Sequence, residues 1–282
     1  MRYLSVKNPK VRIRLVGFEL NKEDTEPYIL RASFARDHIL GTRSLGVFRG
    51  YLKKNCETYK MFDMIYIVSG SNLVDQRDNS YLDYTGFAFI GAICTDARVG
   101  IGEDLPKIWY HVRTLAHEVG HLLGCPHDGD NAPSVLQHSS GSAFCPWSDG
   151  FIMSYIQNSL REFRFSSCCN EMIRYVARLK GRECMVRQDV NITYNTQIYL
   201  PGHYVNPDKQ CLKFLGYRLS NTYREKSKAS DEALKSCTLF CFAGRERHLS
   251  MNAIDGTDCD TGKVCYNGLC KKTPDIKPER LE

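Results

Sequence analysis

The run His117-Glu118-Val119-Gly120-His121-Leu122-Leu123-Gly124-Cys125-Pro126-His127-Asp128 decides how this chain is read. His117 and His121 are four residues apart, so on a helix both imidazoles leave one face and can grip one cation. Gly124 lets the chain leave that helix sharply through a positive φ and brings His127 round as a third ligand. Three neutral histidines leave one tetrahedral position open to water, the arrangement of a catalytic zinc site and not of a closed structural one. Glu118 follows the first ligand and is placed to act as a general base without ligating the metal. The short HExxH pattern also occurs in unrelated helices. The glycine and third histidine at fixed spacing turn the balance toward chemistry.

Around this run the sequence reads as strands alternating with helices, a mixed α/β domain. Residues 11–20 alternate Val11, Ile13 and Leu15 with arginines, which predicts a strand. Leu45, Phe48, Tyr51 and Leu52 fall at helical spacing, and 64–68 is a short apolar run expected as a buried strand. Residues 84–94 are expected as a further strand, with Gly86 and Gly91 leaving it bare for close backbone approach. The ligand helix is expected to start near Pro106 and stop at Gly124, and another to start at Ser166 or Ser167. Beyond Cys184 the texture changes. The expected domains are 1–184 for catalysis, 185–208 as linker, 209–270 as a small cysteine-rich, loop-rich domain, and 271–282 as tail.

Composition sets the compartment. Of 282 residues 43% are hydrophobic and 25% charged, which suits a globular chain with ample core. The net charge of +6 is spread without basic runs, so nucleic-acid binding is not expected, and no apolar stretch is long enough to span a bilayer. Thirteen cysteines without close CxxC pairs point to disulfides and an oxidising, extracellular address. Asn191-Ile192-Thr193 is a glycosylation sequon that agrees. The amino end lacks an apolar signal segment, so the secretory signal is expected to have been lost by truncation. His38, His111, His138, His203 and His248 have no ligand spacing.

The zinc run resembles the metzincins, and the wider chain resembles their reprolysin (adamalysin, ADAM/ADAMTS) branch. Asp128 after the third histidine, the run Thr85–Cys94 and the run Phe165–Cys169 carry that likeness. The closest overall likeness is to tick salivary metalloproteases, through the zinc run, FIMSY at 151–155 and the cysteine-rich tail. Asp255–Cys259 and Val264–Cys270 resemble the cysteine-rich module of ADAMTS proteins. The resemblance implies a metzincin-type twisted mixed sheet with a long active-site helix, followed by a disulfide-rich domain. It implies that substrate lies along the strand carrying Gly86, Phe87, Ala88, Phe89 and Ile90. It also implies a Met-turn at Met153 beneath the metal and a bond between Cys94 and Cys184. Residues 147–157 would shape the pocket, with Leu122, Leu123 and Phe151 as apolar contacts. Tyr155 either offers its hydroxyl to the metal or the developing oxyanion, or lines the pocket. Cys125 is expected in a disulfide and not as a fourth ligand. Seven cysteines in the catalytic part leave one unpaired.

Against the family pattern, the chain starts at about the end of the first helix, and the run Met153-Ser154-Tyr155 stands where many relatives have proline. The expected function is a secreted zinc endopeptidase with one catalytic Zn2+ per chain, acting as a monomer on matrix or fibrin(ogen)-like proteins. Calcium binding leaves no legible signature. The alternative is an inactive truncated form that binds an extracellular partner through the cysteine-rich domain.

Overall fold

Leu45, Phe48 and Leu52 recur every three or four residues, and in a computed structural model of the chain they form the buried stripe of helix α1 (Gly41–Lys54). The structure describes residues 6, 10–21, 26–77, 80–104, 111–186, 200–215, 222–224, 227–243 and 247–272. These fall into two compact units, the first taken to residue 186 and the second from 200. The Asn191 sequon and most of the expected linker and tail lie outside the described residues.

In the first unit, β1 (Arg31–Ala32), β2 (Ala35–Leu40), β4 (Asn72–Arg77) and β5 (Ser80–Tyr84) form one sheet in that order, with β2 and β4 parallel. The short helix α2 (Cys56–Tyr59) follows α1. A second sheet has the order β3-β7-β6. Its centre β7 (Val99–Glu103) runs parallel to β3 (Ile65–Ser69) and antiparallel to β6 (Gly86–Ala88). The two faces of β7 differ, because its side chains alternate. Val99 and Ile101 are fully buried among Ile39, Leu45, Phe48 and Leu52 on the α1 side. On the other face Gly100 and Gly102 present no side chain, and the Tyr66 ring lies over both.

That bare face admits helix α3 (Val112–Leu122), which packs on β6 and β7. Its other side joins helix α4 (Ser167–Ala177), whose Met172, Ile173 and Val176 are 0% exposed against Val119, Leu123, Ile152, Met153 and Phe165. Each such side chain contributes about 1.5–3 kcal/mol by leaving water. Ser166 caps α4 by accepting from Cys169 N at 3.2 Å.

The structure differs from the sequence reading at four places. Residues 11–20 form no strand: Leu15, Phe18 and Leu20 are 74–88% exposed, and no described strand pairs with the segment. Strand β3 is only half-buried, with Val68 exposed. The expected strand over 84–94 is confined to Gly86–Ala88, so Phe89 and Ile90 lie past its end. The donors beyond it turn to the end of α3 instead of a β partner: Gly91 N donates to His121 O at 2.8 Å and Ile93 N to Leu122 O at 3.1 Å. Gly91 takes the required positive φ of 67°.

The fourth difference is in the second unit, which is more regular than loop-rich. It holds α5 (Pro207–Leu215), β8 (Thr222–Arg224), α6 (Lys228–Lys235), β9 (Thr238–Ala243) and β10 (Arg247–Asn252). The three strands form a sheet in the order β10-β9-β8. A second sheet comprises β11 (Asp258–Asp260), β12 (Lys263–Tyr266) and β13 (Leu269–Lys272). Disulfides 211–241, 237–265 and 259–270 fill the core of the second unit in place of a large apolar one. In the first unit Cys94 bonds Cys184, Cys125 bonds Cys169 and Cys145 bonds Cys168, while Cys56 is an exposed free thiol. No described helix is long and apolar enough to cross a membrane.

Candidate metal centre

His117 and His121 project from one face of α3, their ring centres 4.7 Å apart. The chain then breaks at Gly124, whose φ of 113° no side-chain-bearing residue holds without strain. A Cβ there would also collide with Val176 of α4. The disulfide from Cys125 to Cys169 fastens the turn to α4, and His127 arrives with one ring nitrogen facing the pair. One ligand nitrogen from each of His117, His121 and His127 lies within 4.8 Å of the others.

Backbone carbonyls settle the orientation of two rings. His117 Nδ1 donates to Ile152 O at 2.7 Å, and His121 Nδ1 donates to Cys125 O at 2.7 Å. A carbonyl only accepts, so the proton sits on Nδ1 and each Nε2 keeps its lone pair for the centre. His117 Nε2 and His127 Nε2 are 3.2 Å apart. At that distance the two nitrogens either share a proton or turn their lone pairs to one common cation. Metal–nitrogen bonds of about 2.0 Å in a tetrahedron give an edge of about 3.3 Å. The donor set therefore fits a zinc ion.

Electrostatics agree. Burial pushes the His117 imidazolium well below its usual range and that of His121 down to about 3, with the neighbouring rings adding to the effect. Burial also lowers His127, opposed by Asp130, whose Oδ2 is 3.7 Å from Nδ1. All three rings are thus neutral near pH 7, as ligands must be. Glu118 is 5% exposed, and burial raises its carboxyl to about 8. A Cβ on Gly86 would lie 2.6 Å from Glu118 Oε1, so the glycine in β6 is what lets the edge strand sit beside this carboxylate.

The turn after the third histidine closes the site. Met153 is fully buried, and its Sδ would be 2.8 Å from a Cβ at Gly120. Each carbonyl from 151 to 154 is held from the ligand side. Arg113 Nη2 donates to Phe151 O at 3.1 Å and to Ser154 O at 2.6 Å. Ile152 O takes His117, and Met153 O accepts from Asp128 N at 3.0 Å. Asp128 is itself buried, accepting from Ser166 Oγ at 2.5 Å, and burial raises its carboxyl to about 6. Tyr155 is exposed, with its hydroxyl 3.4 Å from His127 Nε2, and Trp147 packs edge-on against both rings. Leu122 and Leu123, expected as pocket contacts, are instead 0% and 2% exposed in the core.

Sequence reasoning passed over Arg113 and the two carbonyl acceptors, and it included Trp147 only within the pocket-shaping run 147–157. Arg113 stands four residues before His117, so helical spacing alone puts it on the ligand face. The carbonyls have no side-chain signature.

Residues 60–166 match the Reprolysin_5 model of metallo-peptidase family M12, and residues 201–271 match ADAMTS cysteine-rich domain 2. The chain is 28% identical over 283 residues to "A disintegrin and metalloproteinase with thrombospondin motifs like" of Bombyx mori, covering 96% of this chain and 39% of that protein. It is 29% identical over 190 residues to an antarease-like venom metalloproteinase of Tityus serrulatus, covering 63% of this chain and 79% of the other. A mouse ADAMTS-type protein is 29% identical over 209 residues, 71% of this chain and 16% of that protein. The chain thus spans about two fifths of the Bombyx mori relative's length. With these matches, it carries a metalloendopeptidase domain similar to the reprolysins of family M12, followed by a domain similar to ADAMTS cysteine-rich domain 2.

Proposed function

We propose that the protein is a secreted zinc endopeptidase that hydrolyses peptide bonds of extracellular matrix or blood proteins. His117, His121 and His127 would hold one Zn2+, with Glu118 as general base. The observation that carries this reading is the convergence of two carbonyl-fixed imidazoles and His127 beside a buried carboxylate. Bound zinc would supply Lewis acidity to the attacking water and the scissile carbonyl.

The chain's own groups do the rest. Strand β6 offers a sheet edge among the described residues, and an extended substrate would add to it as one more strand. Glu118 takes a proton from the attacking water as its oxygen bonds the carbonyl carbon. The same carboxyl then gives that proton to the departing amine nitrogen as the C–N bond breaks, so no covalent enzyme intermediate forms. The Tyr155 hydroxyl would donate to the developing oxyanion, a role that its position 3.4 Å from His127 Nε2 supports. Met153 packs under the ligand helix without ligating. Six disulfides support an oxidising destination. We assign the second unit to binding of a protein partner or substrate away from the scissile bond.

Glu118→Ala tests the reading. Cleavage of gelatin or a quenched peptide should fall by at least about 10²–10⁴-fold while zinc content stays at one per chain. Undiminished cleavage by that variant removes Glu118 from the mechanism. A wild-type protein that binds zinc but cleaves nothing would favour the binding-protein alternative.

A further inference from the structure

Behind Glu118, on the side away from the substrate edge, lies a polar group that the catalytic scheme does not use. The Tyr66 hydroxyl is buried and has no hydrogen-bond partner among the described residues. Its ring crosses the helix-facing side of β7, where a Cβ at Gly100 would be 2.9 Å from Cδ2 and one at Gly102 would overlap the hydroxyl itself. Gly102 is the register partner of Gly86. Directly opposed residues on an antiparallel pair point to the same face, about 5 Å apart at Cβ. The Gly86 position touches Glu118 Oε1, and the Gly102 position touches Tyr66. Two paired glycines therefore open one slot between sheet and α3, with the carboxylate over one and the phenol over the other.

The helix agrees with that placement. Thr114 of α3 lies 3.4 Å from the Gly102 Cβ position, and Thr114 and Glu118 are one turn apart on the same face. Tyr66 also feels the charge of Glu118 more than that of Asp104, and both, with burial as the larger cause, raise its hydroxyl well above the usual range. The two glycine positions are about one cross-strand spacing apart, a span that one water with polar partners on both sides can bridge.

We infer that Tyr66 is a positioning residue for Glu118: its hydroxyl donates to a water that in turn donates to the carboxylate from behind. This rests on the proposed role of Glu118. The rear hydrogen bond fixes the carboxylate rotamer and leaves its other oxygen lone pairs to the attacking water. A tether from behind matters there because β6 contributes only a glycine at the point of contact, so that strand brings no side chain to steady the carboxylate.

Tyr66→Phe removes one oxygen and keeps the ring that fills the slot. In the zinc-loaded chain, kcat should fall about tenfold, the effect of losing one hydrogen bond to a charged group, with KM within twofold and zinc content unchanged. The melting temperature should be unchanged or lower. If kcat stays within twofold and the melting temperature rises, the hydroxyl is an uncompensated buried group and the inference is wrong. A kcat loss that merely tracks lost zinc also overturns it. Should the wild-type protein not cleave at all, the protease reading fails, and the melting temperature still decides whether the hydroxyl has a partner.

Discussion

Replacing Arg113 by methionine would test whether the site depends on a tie that the zinc motif does not contain. Methionine keeps an unbranched apolar stem and removes the guanidinium. Of the two carbonyls involved, Phe151 O retains Ser154 N at 3.0 Å and Ser154 Oγ at 3.2 Å. Ser154 O, by contrast, has Arg113 as its partner among the described residues. One carbonyl therefore loses its donor, a cost of about 1–3 kcal/mol when fully buried. Arg113 is only half-buried, so water can partly replace it, and about 1–2 kcal/mol is expected. For a unit of this size that lowers the melting temperature by roughly 3–6 °C. Activity should suffer more, because the released turn also carries Ile152 O, which holds His117. A displacement near 1 Å costs up to about 10²-fold, so kcat should drop about 10- to 100-fold. Melting curves with and without zinc, beside peptide-cleavage kinetics, read both effects. Arg113→Lys, whose ammonium can reach one or both carbonyls, should recover part of each. A melting shift under about 1 °C with unchanged kcat would refute the reasoning.

Gly124→Ala should destabilise the first unit by about 2–4 kcal/mol, from the strained φ and the contact with Val176, and weaken zinc binding by misplacing His127. A urea midpoint and a zinc titration equal to wild type would contradict that. Chelating the metal should abolish cleavage and lower the melting temperature while leaving far-UV helical signal in place, since the buried stripe of α4 and the disulfides do not pass through the ligands. Loss of helical signal on chelation, or failure of added zinc to restore activity, would count against it.

Much of the site was legible because its chemistry repeats at fixed spacing. Helix geometry relates His117, Glu118 and His121 directly, and Gly124 announces the break before His127. Helices α1 and α4 were legible for the same reason, through the stripes at Leu45, Phe48 and Leu52 and at Met172, Ile173 and Val176. The strands were less so. Val11, Ile13 and Leu15 alternate as a strand would, yet alternation says nothing about whether a partner edge is at hand. The run after Ala88 is apolar enough for a strand, but its amide groups are drawn to the carbonyls ending α3. Contacts made by main-chain oxygen, such as Ile152 O and Ser154 O, are invisible in residue identity. So is the pairing of Gly86 with Gly102, which exists only once the register of β6 on β7 is set.

The placement of the cystines follows from what the ligand loop lacks. Between the end of α3 and the start of α4 the chain has only short 3-10 turns, at 134–136, 147–149 and 160–163, yet it must fix His127 and the turn holding Met153. Such a segment cannot draw its rigidity from helix or sheet hydrogen bonds. Cys125 and Cys145, at the start and middle of the loop, instead bond Cys169 and Cys168, respectively, in the first turn of α4. Closing intervals of 44 and 23 residues is worth about 3–4 kcal/mol each in the chain-entropy account. Both bonds terminate on a helix whose own buried face is packed under the ligand helix. The third bond, Cys94 to Cys184, spans 90 residues and restrains the segment leaving the edge strand. The β6 edge, the loop carrying His127 and the Met153 turn are thus anchored separately to the chain around α4, so that the three imidazoles would be held in place before any metal arrives.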